Sequence, residues 1–70
     1  MKENLEKLQE ALASDNFDTI DYIVEYLQSP NITDDERDTI QDIIDEATLY
    51  IELKEEEYKG EALKLIWEYS

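Results

Sequence analysis

The segment "TLYIELK", Thr48 to Lys54, could extend a helix or form a strand, and the two outcomes belong to different fold classes. Its β-branched and aromatic residues suit a strand. A single isolated strand, however, would have nothing to pair with. The same residues continue an upstream stripe of Ile40, Ile43, Ile44, Ala47, Tyr50 and Ile51, which recurs at the helical period of about 100° per residue. The helical reading therefore prevails, and the expected fold is all-α, a small antiparallel bundle of three to four helices.

This third helix has a clear start. Ser29-Pro30 disfavours helical geometry before the proline, and Thr33 with Glu36 three residues later forms a capping box. Upstream, Phe17, Ile20, Ile23, Val24 and Leu27 make a second amphipathic stripe that ends near Gln28. "SDN", Ser14 to Asn16, separates it from a first helix carrying Leu5, Leu8 and Leu12, because these short polar side chains bond local backbone and favour breaks and N-caps. Downstream, Gly60 either closes the third helix or sits inside a continuous one at a cost of about 1 kcal/mol. A break at Gly60 is the preferred reading. A fourth helix, Glu61 to Tyr69, would then return Leu63, Ile66 and Trp67 to the core.

Length and composition bound what such a bundle can be. Seventy residues make one small acidic helical domain, residues 1–70, and a single core of that size rarely supplies more than about 3–5 kcal/mol of net stability. There is no cysteine and no histidine, which excludes disulfides, zinc sites of Cys/His type and imidazole catalysis. Twenty acidic residues against six basic ones give a formal charge of −14, which opposes compaction and disfavours direct contact with nucleic acid or an anionic membrane. A hydrophobic content of 41% with one Trp, one Phe and five Tyr marks a folded chain, not a disordered acidic tail. No stretch approaches the roughly 18 apolar residues of a membrane span, and cytoplasm is the expected location. "NIT", Asn31 to Thr33, matches a glycosylation sequon but reads here as a turn and a helix cap.

The charge is concentrated. Between Thr33 and Glu46 there are seven carboxylates and one cation, Arg37. Asp34, Asp38, Asp42 and Glu46 follow at i+4, and like charges at that spacing oppose one another by about 0.2–0.5 kcal/mol per pair. Asp35, Asp38, Asp42 and Asp45 alternate spacings of three and four on the side away from the apolar stripe. Carboxylates so spaced stand about 4.5–6 Å apart along the axis, on the scale of the phosphate steps that Lys/Arg grooves track. On the second helix Asp18, Asp21 and Glu25 extend the field beside Tyr22 and Tyr26, which point outward. Tyrosine supplies both a large apolar face and a hydroxyl, as interface anchors do. The bland counterpart is a solvated acidic face that serves solubility.

These features predict a small interaction protein that binds and inhibits a basic, nucleic-acid-handling protein, imitating nucleic-acid phosphates. The partner-binding set is Asp18, Asp21, Tyr22, Glu25, Tyr26, Asp35, Asp38, Asp42 and Asp45. The alternative is a self-associating helical module. Leu49 and Leu53 fall on the acidic side of the third helix, so either the fourth helix covers them, with Trp67 as the lid, or a homodimer seam does. No enzyme is expected, since no nucleophile or phosphate-binding loop accompanies the carboxylates. No metal or cofactor is expected either, because neither "DNFDTID" nor "DDERDTIQDIID" has the glycine that an EF-hand loop requires. Small acidic helical proteins of phages, antitoxins and bacteriocin immunity proteins are similar in general character, although no motif ties the chain to one of them.

Overall fold

The computed structural model describes residues 2–30 and 32–69, and these form four helices: α1 (Lys2–Ala13), α2 (Phe17–Leu27), α3 (Asp34–Leu53) and α4 (Glu56–Tyr69). Asn31, first residue of the sequon-like triplet, lies outside the described residues. "TLYIEL" completes α3 as a helix, and no strand is present among the described residues. Successive helices pack against one another, and α4 also reaches α1, which closes a four-helix bundle. None of the helices is long and apolar enough to cross a membrane.

Each boundary has a local cause. Asn16 caps α2 by accepting a hydrogen bond from the Thr19 amide at 3.3 Å. Thr33 and Glu36 form the reciprocal capping box, with the Glu36 amide donating to Thr33 Oγ1 and the Thr33 amide to Glu36 Oε1, both at 3.2 Å. The Thr33 hydroxyl also donates to Glu36 Oε1 at 2.9 Å, and this bond, with that from the Thr33 amide, stabilises the Glu36 carboxylate and lowers its pKa. Arg37 Nη2 donates to the Ser29 carbonyl at 2.9 Å, which ties the α2–α3 connection to the first turn of α3.

The expected stripes fill one core: Leu5, Leu8 and Leu12 of α1, Ile20, Ile23, Val24 and Leu27 of α2, and Ile40, Ile43, Ile44, Ala47 and Tyr50 of α3 are all buried. Ile32 joins them from the loop, and Ala62 and Ile66 from α4.

The break before α4 differs from the sequence expectation. It falls at Lys54, which takes a left-handed φ of 55° and ψ of 34°, and not at Gly60, which lies inside α4. A turn at Lys54 starts α4 early enough to set Tyr58, Ala62, Leu65 and Ile66 along one face against the core. A helix beginning at Glu61 would forgo Tyr58. Burial of that longer stripe outweighs the strain of a left-handed lysine, about 1–2 kcal/mol. Trp67, half a turn from the Tyr58/Ala62/Leu65 side, is 77% exposed and does not act as a lid.

A polar junction joins the two halves of the bundle. Tyr50 donates its hydroxyl to Asp15 Oδ1 at 2.5 Å, and Lys59 Nζ reaches the same oxygen and Glu56 Oε2, each at 3.1 Å. Phe17 packs against the Tyr50 ring at 5.4 Å, and Lys59 lies over that ring at 5.7 Å. The Tyr50 and Lys59 bonds lower the Asp15 pKa, the Asp15 bond raises that of Tyr50, and the Glu56 and Asp15 carboxylates raise that of Lys59.

Two predictions follow from these local features. A Cβ on Gly60 would meet nothing within 4 Å. Gly60→Ala should therefore stabilise the fold by about 0.5–1 kcal/mol, raising Tm in a thermal melt, since about 1 kcal/mol moves Tm by about 4–8 °C at this size. Asp15 carries the second. Its folded pKa lies below the usual 3.8, so its ionised form contributes stability above that value and loses it as pH falls through the lower folded pKa. Because asparagine also tolerates positive φ, Asp15→Asn isolates the charge. The Tm gap between wild type and Asp15→Asn should be widest near neutrality and close as pH drops below 3.8.

Candidate partner-binding face

The sixteen buried side chains of the core are all apolar or tyrosine, and no charged side chain among the described residues is buried. Asp18, Asp21 and Glu25 on α2 and Asp35, Asp38, Asp42 and Asp45 on α3 are all exposed. Among the described residues, ion pairs join Arg37 to Asp34 at 3.7 Å and Lys59 to Asp15 and Glu56, so none of those seven carboxylates has an internal cation. Asp45 accepts a hydrogen bond from Gln41 Nε2 at 2.9 Å, a neutral partner on its own helix.

The expected binding residues divide into two groups. Asp21, Glu25 and Asp45 line two adjoining open depressions of about 370 and 420 Å³ along the α2–α3 seam, which share Gln28 and Thr48. Val24 and Ile51 supply an apolar floor in one and Leu49 in the other, while Glu52 adds a fourth carboxylate. Asp18, Tyr22, Tyr26, Asp35, Asp38 and Asp42 lie outside this groove. Tyr22 is 70% exposed, one residue and therefore about 100° around α2 from Asp21. Tyr26 is 37% exposed and lines neither depression. The tyrosines thus flank the acidic seam without lining it.

Sequence reasoning missed Glu52, Thr48 and Gln28. Their spacing carried a signal: Asp21, Glu25 and Gln28 stand at i, i+4 and i+7, and Asp45, Thr48 and Glu52 at i, i+3 and i+7, the pattern of two polar flanks bordering an apolar stripe. The apolar trio also separates. Leu49 is half-buried in the groove, Leu53 is 51% exposed at the end of α3, and Trp67 lies near the far end of α4, so no single patch unites them. A third depression, between α1 and α2, is smaller at about 210 Å³ and contains its own cation, Lys7, beside Glu10. Among the described residues, no group of three or more acidic side chains is gathered to hold a metal ion.

Compared with protein-family models, curated proteins and solved structures, the chain matches none.

Uncompensated carboxylates at helical spacing repel one another, and the pairs Asp38/Asp42, Asp42/Glu46 and Asp21/Glu25 each oppose folding by about 0.2–0.5 kcal/mol. Salt should relieve this. Raising ionic strength from about 0.01 M to about 1 M contracts the Debye length from about 30 Å to about 3 Å, and Tm should rise across that range in a thermal melt. A fold held by surface ion pairs would show the opposite slope.

Proposed function

We propose that this chain is an acidic interaction protein of the cytoplasm that binds, and inhibits, a basic nucleic-acid-handling protein through the outer sides of α2 and α3. One observation carries the reading: seven carboxylates on those two helices are exposed and, among the described residues, unpaired with any cation of the chain. Asp35, Asp38, Asp42 and Asp45 take the places of backbone phosphates, and Asp18, Asp21 and Glu25 widen the field that draws the partner in. Tyr22, with most of its ring in solvent, offers an apolar face on which an arginine can stack. The role is binding and not catalysis, since carboxylate pairs perform acid–base chemistry where burial separates their pKa values, and these lie in open solvent.

A second reading, self-association, draws on the exposure of Trp67 and Leu53. Each is a large apolar surface that association could cover. Sedimentation at two concentrations separates the readings: a dimer dispersed by Leu53→Asp would support the second.

The first reading makes a direct prediction. Basic nucleic-acid-binding proteins captured on the immobilised chain at low salt should elute sharply in a salt gradient, and duplex DNA should compete for them. The variant Asp35→Asn/Asp38→Asn/Asp42→Asn/Asp45→Asn should lose that binding while its circular dichroism and Tm stay at or above wild type. Binding that is indifferent to salt would refute the assignment.

A further inference from the structure

The α2–α3 groove differs in kind from the convex acidic face beside it. Its two walls are acidic, Asp21 and Glu25 on one side and Asp45 and Glu52 on the other, and its floor is apolar, formed by Val24, Ile51 and Leu49. A rod of phosphate-like charge would need only the carboxylates. An apolar floor between two negative walls is complementary to something with an apolar ridge between two positive edges. The lining runs from Asp21 to Gln28 on α2 and from Asp45 to Glu52 on α3, seven steps each and so about 10 Å at about 1.5 Å per residue, which is close to two turns of a helix.

Resting on the reading that the partner is basic, we propose that the element it inserts is a short amphipathic helix with aliphatic residues at i and i+3 or i+4, flanked on both sides by lysine or arginine. Its aliphatic ridge lies on Val24, Ile51 and Leu49. Its flanking cations meet Asp21 and Glu25 on one wall and Asp45 and Glu52 on the other. Helix-in-groove recognition divides the work in this way, with burial along the ridge supplying affinity and charge along the edges supplying orientation and association rate. Gln28 and Thr48, shared by both depressions, supply neutral hydrogen-bonding groups between the charged ends. Asp35, Asp38 and Asp42 lie outside the groove and act on such a helix only through their long-range field.

The test uses the full chain and two labelled peptides of identical composition, one with leucines and lysines arranged as ridge and edges, the other with the same residues shuffled to erase that face. Binding is read by fluorescence anisotropy at low and high salt. The amphipathic peptide should bind about tenfold or more tightly than the shuffled one. The groove variant Glu25→Gln/Asp45→Asn/Glu52→Gln should weaken it about tenfold or more, and the equal charge change Glu57→Gln/Glu61→Gln/Glu68→Gln on the exposed side of α4 by less than about threefold. Leu49→Gln, checked for folding by its thermal melt, should weaken it without changing the salt slope. The charge variants relieve repulsion among exposed residues, so their folding is not in doubt. Equal binding of the two peptides, or equal losses in the two charge variants, overturns the groove inference and leaves the basic-partner reading standing. No binding of either peptide overturns the groove inference as well. Loss of salt-dependent capture from lysate removes the underlying reading.

Discussion

Lys54 holds a backbone conformation that lysine rarely adopts, and the second half of the molecule is organised around it. Had α3 continued past Leu53, its next turns would have left the core behind, taking Tyr58, Ala62, Leu65 and Ile66 with them. With the chain reversed at Lys54 and Glu55, those residues pack on α3 and close the bundle against α1. The Lys54 amide still bonds the Tyr50 carbonyl at 2.8 Å, so the helix ends without leaving that acceptor unsatisfied. Lys54 Nζ also lies 5.4 Å from the Phe17 ring, where a cation is attracted to the π face. The same turn places Lys59 over Tyr50 and within reach of Asp15, joining the α1–α2 connection to the α3–α4 pair.

A chain of net charge −14 has only one arrangement of polarity open to it. Every charged side chain among the described residues stays outside the core, and the core is assembled from leucine, isoleucine, valine, alanine and one tyrosine. That tyrosine is buried with its hydroxyl on Asp15, among the described residues the one polar group that the core extends to the surface. The scarce cations work at the joints. Arg37 ties the α2–α3 connection and Lys59 the meeting of Asp15, Tyr50 and Glu56. Few remain to neutralise the outer sides of α2 and α3, and the excess charge gathers there.

What the sequence revealed and what it concealed follow one physical division. Signals carried by a single helix were legible. The capping box at Thr33 and Glu36, the Asn16 cap and the apolar stripes of α1, α2 and α3 depend on residues within one or two turns of each other, and all are present in the structure. The start of α4 was not legible, because Gly60 is a strong local breaker while the advantage of breaking at Lys54 lies in contacts that form only once α4 has folded back. The outward position of Trp67 is a consequence of that shift. The bond from Tyr50 to Asp15, 35 positions apart in the chain, has no sequence signature either. The acidic ladder itself was readable. That Asp21, Glu25, Asp45 and Glu52 border two adjoining depressions depends on how α2 and α3 are apposed, which a helical projection of either alone does not contain.

On the proposed function, the repulsion that burdens the free protein also bears on its association. Carboxylates at i, i+4 on α3 oppose folding when unpaired, and a cationic partner that neutralises them removes that opposition upon binding. On the proposed function, part of the free energy of association would therefore come from repulsion already present in the unbound chain. By linkage, whatever binds the folded state alone also stabilises it, by an amount set by its affinity, in which relief of this repulsion is already included. An acidic bundle with a marginal core would thus be most stable when occupied. Lysines interleaved along α3 would have relieved that repulsion in the monomer, whereas between Thr33 and Glu46 Arg37 stands alone among seven carboxylates.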